Sequence, residues 1–172
     1  MTPSNGFTGT VNFSVSGLPS GATGSFSTSS VSGSGSSTLS VNTSSSAPTG
    51  TYSLTITSTS STLTHTAQVI LVVADFTISA TPSRQIVNQG SQTNYTVTIT
   101  PVGQFSATVN LSVAGLPRQT STSFNPRSVA RSGSSALTVS VRRGAARGQS
   151  TFTITRTGGG LTHSTTVSLV VQ

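Results

Sequence analysis

The sequence contains no cysteine, no tryptophan and no lysine, and Asp75 is its only acidic residue among 172. Without cysteine there is no disulfide framework and no thiolate chemistry. A single carboxylate rules out, within one chain, general acid–base pairs, carboxylate-ligated calcium or magnesium, and two-carboxylate glycosidase sites. Sugar-binding surfaces that stack a strip of Trp or Tyr are disfavoured too, since the only tyrosines are Tyr52 and Tyr95 and both fall in phase with apolar residues. The longest apolar run, Val69–Val73, is far too short to span a membrane. The opening Met1-Thr2-Pro3-Ser4-Asn5-Gly6 has neither a basic nor an apolar region of the kind that forms a signal peptide.

What the chain does contain is itself, twice. Residues 2–73 and 100–171 align without a gap at an offset of 98 residues. Phe7 matches Phe105, Gly17-Leu18-Pro19 matches Gly115-Leu116-Pro117, and Leu63-Thr64-His65 matches Leu161-Thr162-His163. A fixed period of this length marks an array of modules. The stretch Ala74–Ile99 occurs once, so residues 74–172 read as a whole module and residues 1–73 as a module lacking its first two strands.

Ser and Thr form about two-fifths of the chain and charged residues only 5%. That balance would suit a disordered linker, but the apolar residues alternate instead of scattering. Phe76-Thr77-Ile78-Ser79-Ala80 reads as a strand closed by Thr81-Pro82, with Arg84–Val87 a short continuation and Asn88-Gln89-Gly90 a turn. Tyr95, Val97 and Ile99 point one way along the next strand. Val109, Leu111 and Val113 line a third that stops at Gly115-Leu116-Pro117. Ser123-Phe124 is a short edge piece, followed by strands carrying Leu137, Val139 and Val141, then Phe152 and Ile154, then Leu161, His163, Val167, Leu169 and Val171. About seven short strands with frequent turn signals and no helical period predict an all-β, Greek-key β-sandwich of immunoglobulin type.

The pattern F-T-I-S-x-T-P-S, Y-T-V-T-I-T-P, T-V-N-L-S-V-x-G-L-P, L-T-H and V-x-L-V-V resembles bacterial immunoglobulin-like repeats of large secreted or surface proteins. The resemblance covers the whole chain. It implies tandem sandwiches in an extracellular or cell-surface setting and a connecting or stalk role, and it brings no catalytic or ligand residues. Two departures stand out. Tyr52, in the repeat's Gly-x-Tyr context, is replaced by Ser150 in the second module, and Ser29, Gly33, Ser44, Ser45 and Thr49 of the first module are among the positions that are Arg in the second.

Loss of the first two strands is expected to leave the strand bearing Leu39 and Val41 without a neighbour and to uncover Val11, Phe13, Leu54 and Ile56. These six are the candidate subunit-contact face, since unpaired backbone and apolar area together invite docking. Exchange between copies has a counting limit: each chain carries one first-and-second-strand pair for two bodies that need one.

Other residues were weighed as sites. His65 and His163 have no nearby ligating companions and read as half-buried residues holding a loop. Asp75 reads as a turn residue between modules, and no nucleophile elbow accompanies it. All eight basic residues are Arg, lying between Arg84 and Arg156. Arg142, Arg143 and Arg147 share a loop with Arg118 at the same end, a candidate polyanion contact, while Arg127, Arg131 and Arg156 lie towards the other end. The Asn-x-Ser/Thr sequons at Asn12, Asn42, Asn94 and Asn110 are expected by chance in such a composition.

Two functional readings follow. In the first, the chain is a non-catalytic extracellular repeat forming a stalk, spacer or filament through self-association or neighbouring repeats. In the second, it is an accessory module of a secreted hydrolase that holds a polyanion or cell surface through its Arg-rich half. Neither requires a cofactor, a metal, a small-molecule substrate or a membrane span.

Overall fold

The computed structural model describes Gly6–Gln172, all of it strand, turn and loop. The chain separates into two compact units, the first ending at Val73 and the second running Ala74–Gln172.

The second unit is a two-layer sandwich of nine strands: β7 (Asp75–Thr81), β8 (Arg84–Val87), β9 (Gln92–Val102), β10 (Thr108–Ala114), β11 (Thr120–Asn125), β12 (Ser128–Ala130), β13 (Gly133–Val141), β14 (Gly148–Gly158) and β15 (Leu161–Val171). One sheet has the order β11-β13-β9-β7 and the other β12-β10-β14-β15-β8. The connections β9–β10, β10–β11 and β13–β14 pass between the layers, giving the Greek-key plan of an immunoglobulin-like domain. The first apolar segment is not one strand with a continuation. Thr81-Pro82-Ser83 carries the chain from one sheet to the other: β7 pairs antiparallel with β9, and β8 pairs parallel with β15. Proline cannot donate to a ladder, so the break falls at the point where pairing changes sheets.

Period-two alternation fills the core from both layers. Tyr95, Val97, Leu137, Val139, Phe152, Ile154, Val167 and Leu169 are all buried and form one cluster. Leu111 and Val113 are partly buried and pack against its margin. A second cluster at one end joins Phe76, Ile99, Phe105, Val109 and Val129. The Tyr95 ring meets Phe152 edge-on at 5.5 Å, and its hydroxyl donates to the Ser168 carbonyl in the opposite sheet at 2.7 Å.

The first unit comprises β1 (Thr10–Ser16), β2 (Ala22–Phe26), β3 (Ser30–Ser32), β4 (Leu39–Thr43), β5 (Gly50–Ser60) and β6 (Leu63–Val73). Its ladders repeat those of β10–β15 residue for residue at the sequence offset: Val11 faces Val31 as Val109 faces Val129, and Gly50 faces Val73 as Gly148 faces Val171. Its sheets are β3-β1-β5-β6 and the ribbon β2-β4, with no counterpart of β7, β8 or β9 among the described residues. Phe13 stacks on Phe26 at 5.6 Å, so the ribbon lies over the larger sheet. Gly17-Leu18-Pro19 and Gly115-Leu116-Pro117 both follow the end of a strand, with each Leu half-buried. Gly17 takes φ 86°, and a Cβ there would lie 2.6 Å from the Ser53 carbonyl oxygen, which is why the position is glycine.

One domain-specific detail fits the immunoglobulin-like plan. At the start of β5 the Tyr52 hydroxyl donates back to the Pro48 carbonyl at 3.0 Å, a tyrosine corner. The second unit has Ser150 there, whose buried Oγ has no hydrogen-bond partner.

Leu169, fully buried, and its half-buried equivalent Leu71 test this reading of the two cores. Leu169→Ala is expected to lower stability by about 2–4 kcal/mol through the cavity it leaves. Leu71→Ala should cost clearly less, as measured by denaturant unfolding of the two variants. Equal losses would contradict the difference in packing.

Candidate functional site

Three groups of residues carry chemistry: an open apolar face on the first unit, an arginine-rich loop end on the second, and a charged cluster at the second unit's other end.

The apolar face follows from the strand inventory. Ile56 and β4's Leu39 and Val41 are half-buried, whereas their second-unit equivalents Ile154, Leu137 and Val139 are all 0% exposed. The contrast is larger on β6. Val69 is 41% exposed against 2% for Val167, and Leu63, Ile70 and Val72 are 55%, 64% and 38% exposed. Two of the six residues expected on this face are not available. Val11 and Leu54 are buried at 5% and 1% exposure. Phe13 is half-buried under Phe26. The most exposed apolar residues, those of β6, were absent from the sequence expectation, although Val69–Val73 was its longest apolar run.

At the arginine-rich end, the turn after β10, the loop 142–147 and the turn before β9 adjoin. The Arg142 amide donates to the Gln119 carbonyl at 2.9 Å, and Gln89 Nε2 donates to the Ala145 carbonyl at 2.6 Å. Arg143 lies beside Gly90, whose absent Cβ would sit 3.0 Å from Arg143 Cγ. Arg118, Arg142, Arg143 and Arg147 are all exposed. The structure therefore gathers Arg118, Arg142 and Arg143 on neighbouring loops, with Arg147 on the same loop as the last two. Arg127 and Arg131 are exposed on the turns flanking β12.

Arg156 departs from the expectation of a surface charge. It is 0% exposed, on the inward side of β14 after Phe152 and Ile154, and its Nε and both Nη atoms have no hydrogen-bond partner. The phase explains this: residues 152, 154 and 156 share one face of a strand. Burial pushes the guanidinium down to about 10, so it keeps its charge at neutral pH in surroundings that disfavour it. The first unit carries Ser58 in the same position, its Oγ donating to the His65 carbonyl at 3.2 Å.

Beside Arg156 in the ladder stands His163, whose Nε2 lies 2.6 Å from Asp75 Oδ1; the two side chains are 36% and 32% exposed. The same Oδ1 accepts the Phe76 amide at 2.7 Å, and the Phe76 ring meets the imidazole edge-on at 4.8 Å. This pair ties the start of β7 to β15. Its work is holding a chain entry, consistent with the reading of both residues as structural. His65, the first unit's equivalent, is exposed. Among the described residues no group of three His, Cys, Asp or Glu could hold a metal ion, and no helix is long and apolar enough to cross a membrane.

No protein family and no curated protein matches the sequence. Solved structures similar to the chain include domains 4 and 5 of the S-layer protein SbsC, at 20% identity and TM-score 0.42, covering 72% of this chain and 65% of that one. The C-terminal domain of the Streptococcus agalactiae AgI/II polypeptide BspA is similar at 9% identity and TM-score 0.49, covering 94% and 84%. An endo-fucoidan hydrolase of glycoside hydrolase family 107 is similar at 15% identity and TM-score 0.40, covering 94% of this chain and 23% of the enzyme. The chain thus spans less than two thirds of the S-layer fragment and about a quarter of the hydrolase.

Burying an unpaired guanidinium withholds stability, so Arg156→Met is expected to stabilise the second unit by about 1–3 kcal/mol at pH 7. The depressed folded-state pKa means that the native state binds fewer protons than the unfolded chain once pH rises past about 10. Stability withheld at neutral pH is therefore recovered as pH rises through that window, and the variant's advantage shrinks. Chemical denaturation of both proteins at pH 7 and near pH 11 checks the sign; destabilisation by Arg156→Met at pH 7 would refute it.

Proposed function

We propose that the chain is a non-catalytic structural repeat of an extracellular or cell-surface protein, acting as a stalk, spacer or filament segment of successive β-sandwiches. The observation that carries this reading is the repetition itself: six strands and their residue-level registers recur at one period, with inward positions apolar and outward positions hydroxyl-rich. An array of repeats that share one strand plan and display Ser and Thr outward lengthens without changing its chemistry. Thr on the wet faces keeps β propensity high while hydrating the surface. Electron microscopy of the native assembly tests the proposal: rods or fibres with an axial repeat of one or two domains are expected, and compact particles without a repeat would count against it.

A second reading has its own support in the gathering of Arg118, Arg142 and Arg143 on adjoining exposed loops. Such an end would hold a polyanion, whether an acidic polysaccharide or an anionic wall polymer, as an accessory to a secreted hydrolase. Retention on immobilised heparin that is lost at moderate salt is expected under it, because exposed charges are screened within about 10 Å at 0.1 M salt. Arg142→Ala with Arg143→Ala should shorten retention, and an unchanged elution position would exclude this end as the contact.

A further inference from the structure

We propose that the first unit is an acceptor for one occupant: a β7–β8–β9 segment of a repeat of this same type, entering as a strand next to β4 and a strand next to β6. The second unit supplies the template. There β13 lies between β11 and β9, whereas β4 has a strand on one side only; β15 lies between β14 and β8, whereas β6 ends its sheet. The offset converts one set of partners into the other. Residues 137–140 pair with 92–95 in β9, so Leu39–Asn42 present the same edge to an incoming strand. Residues 168–171 pair with β8, so Ile70–Val73 present the second edge, in parallel orientation.

The side chains agree with the backbone. In the second unit the segment brings Tyr95 and Val97 into one cluster with Leu137, Val139, Ile154, Val167 and Leu169, and every one of those is buried. Their first-unit equivalents Leu39, Val41, Ile56, Val69 and Leu71 all remain at least partly exposed. Leu161 packs on the cluster containing Phe76, and its equivalent Leu63 is 55% exposed. Two unpaired edges flanking a row of half-exposed apolar residues match the requirements of strand addition, in which backbone bonds give affinity and alternate side-chain pockets give specificity. The chain's own Asp75–Val102 already serves its own unit, so an occupant taken from a second copy would leave that copy's second unit open. The segment that fits is one not engaged elsewhere, as in an adjoining repeat. This inference is independent of whether the array is a stalk or a polyanion-binding accessory.

The test uses the full chain and a synthetic peptide of residues 75–102. Hydrogen exchange is expected to slow in residues 39–42 and 70–73, with a one-to-one complex and a fall in the fluorescence of an apolar-surface dye. The peptide carrying Tyr95→Ser and Val97→Ser should do neither. Because such a peptide can self-associate, a fused form gives a second measurement: residues 75–99 joined directly before Thr2, which the repeat places in register with Thr100. Its first unit should unfold at higher denaturant, and its 39–42 and 70–73 amides should be protected. If those amides exchange as before in the fused chain and the added segment is cleaved rapidly by protease, the proposal is wrong. It is also wrong if the unmodified chain already protects the 70–73 edge by forming a dimer, since a second copy would then be the occupant.

Discussion

A two-layer sandwich holds only if each inward side chain finds cover from the opposite sheet, and in this protein the cover depends on β9. That strand pairs with both β7 and β13, and it sends Tyr95, Val97 and Ile99 into the interior. Tyr95 also crosses the gap, its hydroxyl donating to the Ser168 carbonyl. Burial pushes that phenol up to about 12, which marks the interior as poorly solvated. The first unit has the ladders that surround β9 but no β9, and the consequence is graded. Leu54 stays buried and Leu39, Val41 and Ile56 are half-buried, while Val69, Ile70 and Val72 of β6 are exposed. Ladder register is thus a local property of neighbouring strands, and burial a property of the pair of sheets.

Having the same frame twice in one chain separates what the frame requires from what it tolerates. Glycine follows β1 and β10 in both copies with φ of 86° and 79°, and the Leu after it is half-buried in both. Elsewhere the copies diverge at a cost. The tyrosine corner of the first unit is replaced by a serine whose hydroxyl is buried and unpaired. Ser58, which hydrogen-bonds along its own hairpin, is replaced by a buried arginine with no partner. The second unit carries both defects and has the complete core. Full burial of side chains the size of Phe152 and Leu169 is worth about 1.5–3 kcal/mol each, so a closed sandwich can absorb one charged intrusion that the open unit could not.

Much of this architecture was legible in the residues, because period-two alternation and a period of 98 residues are both direct records of geometry. The inward phase of Tyr95, Val97, Leu137, Val139, Phe152, Ile154 and Leu169 follows from alternation alone. Four features are not legible there. The split of β7 from β8 depends on which sheet offers a free edge, a long-range fact that Thr81-Pro82 signals only as a break. Arg156 was assigned by its charge when its phase after Phe152 and Ile154 pointed inward, and phase prevailed. On the open face, Val11 and Leu54 are buried all the same, and the exposure falls on β6, which ends its sheet among the described residues. The meeting of Asp75 with His163 joins residues 88 apart and leaves no local trace.

Arg118, Arg142, Arg143 and Arg147 sit on connecting loops, where a substitution touches no ladder bond and no inward position. The frame therefore places no constraint on these residues, and four of the chain's eight arginines could be replaced without altering the fold. Asp75 is different. Its carboxylate accepts from the first backbone amide after it and from His163, so the one acidic residue in the chain is committed to fixing where β7 begins. The strand it opens, β7, pairs with β9 along seven residues. Apart from the buried Arg156, positive charge in this protein is peripheral, whereas its single negative charge ties the start of β7 to β15.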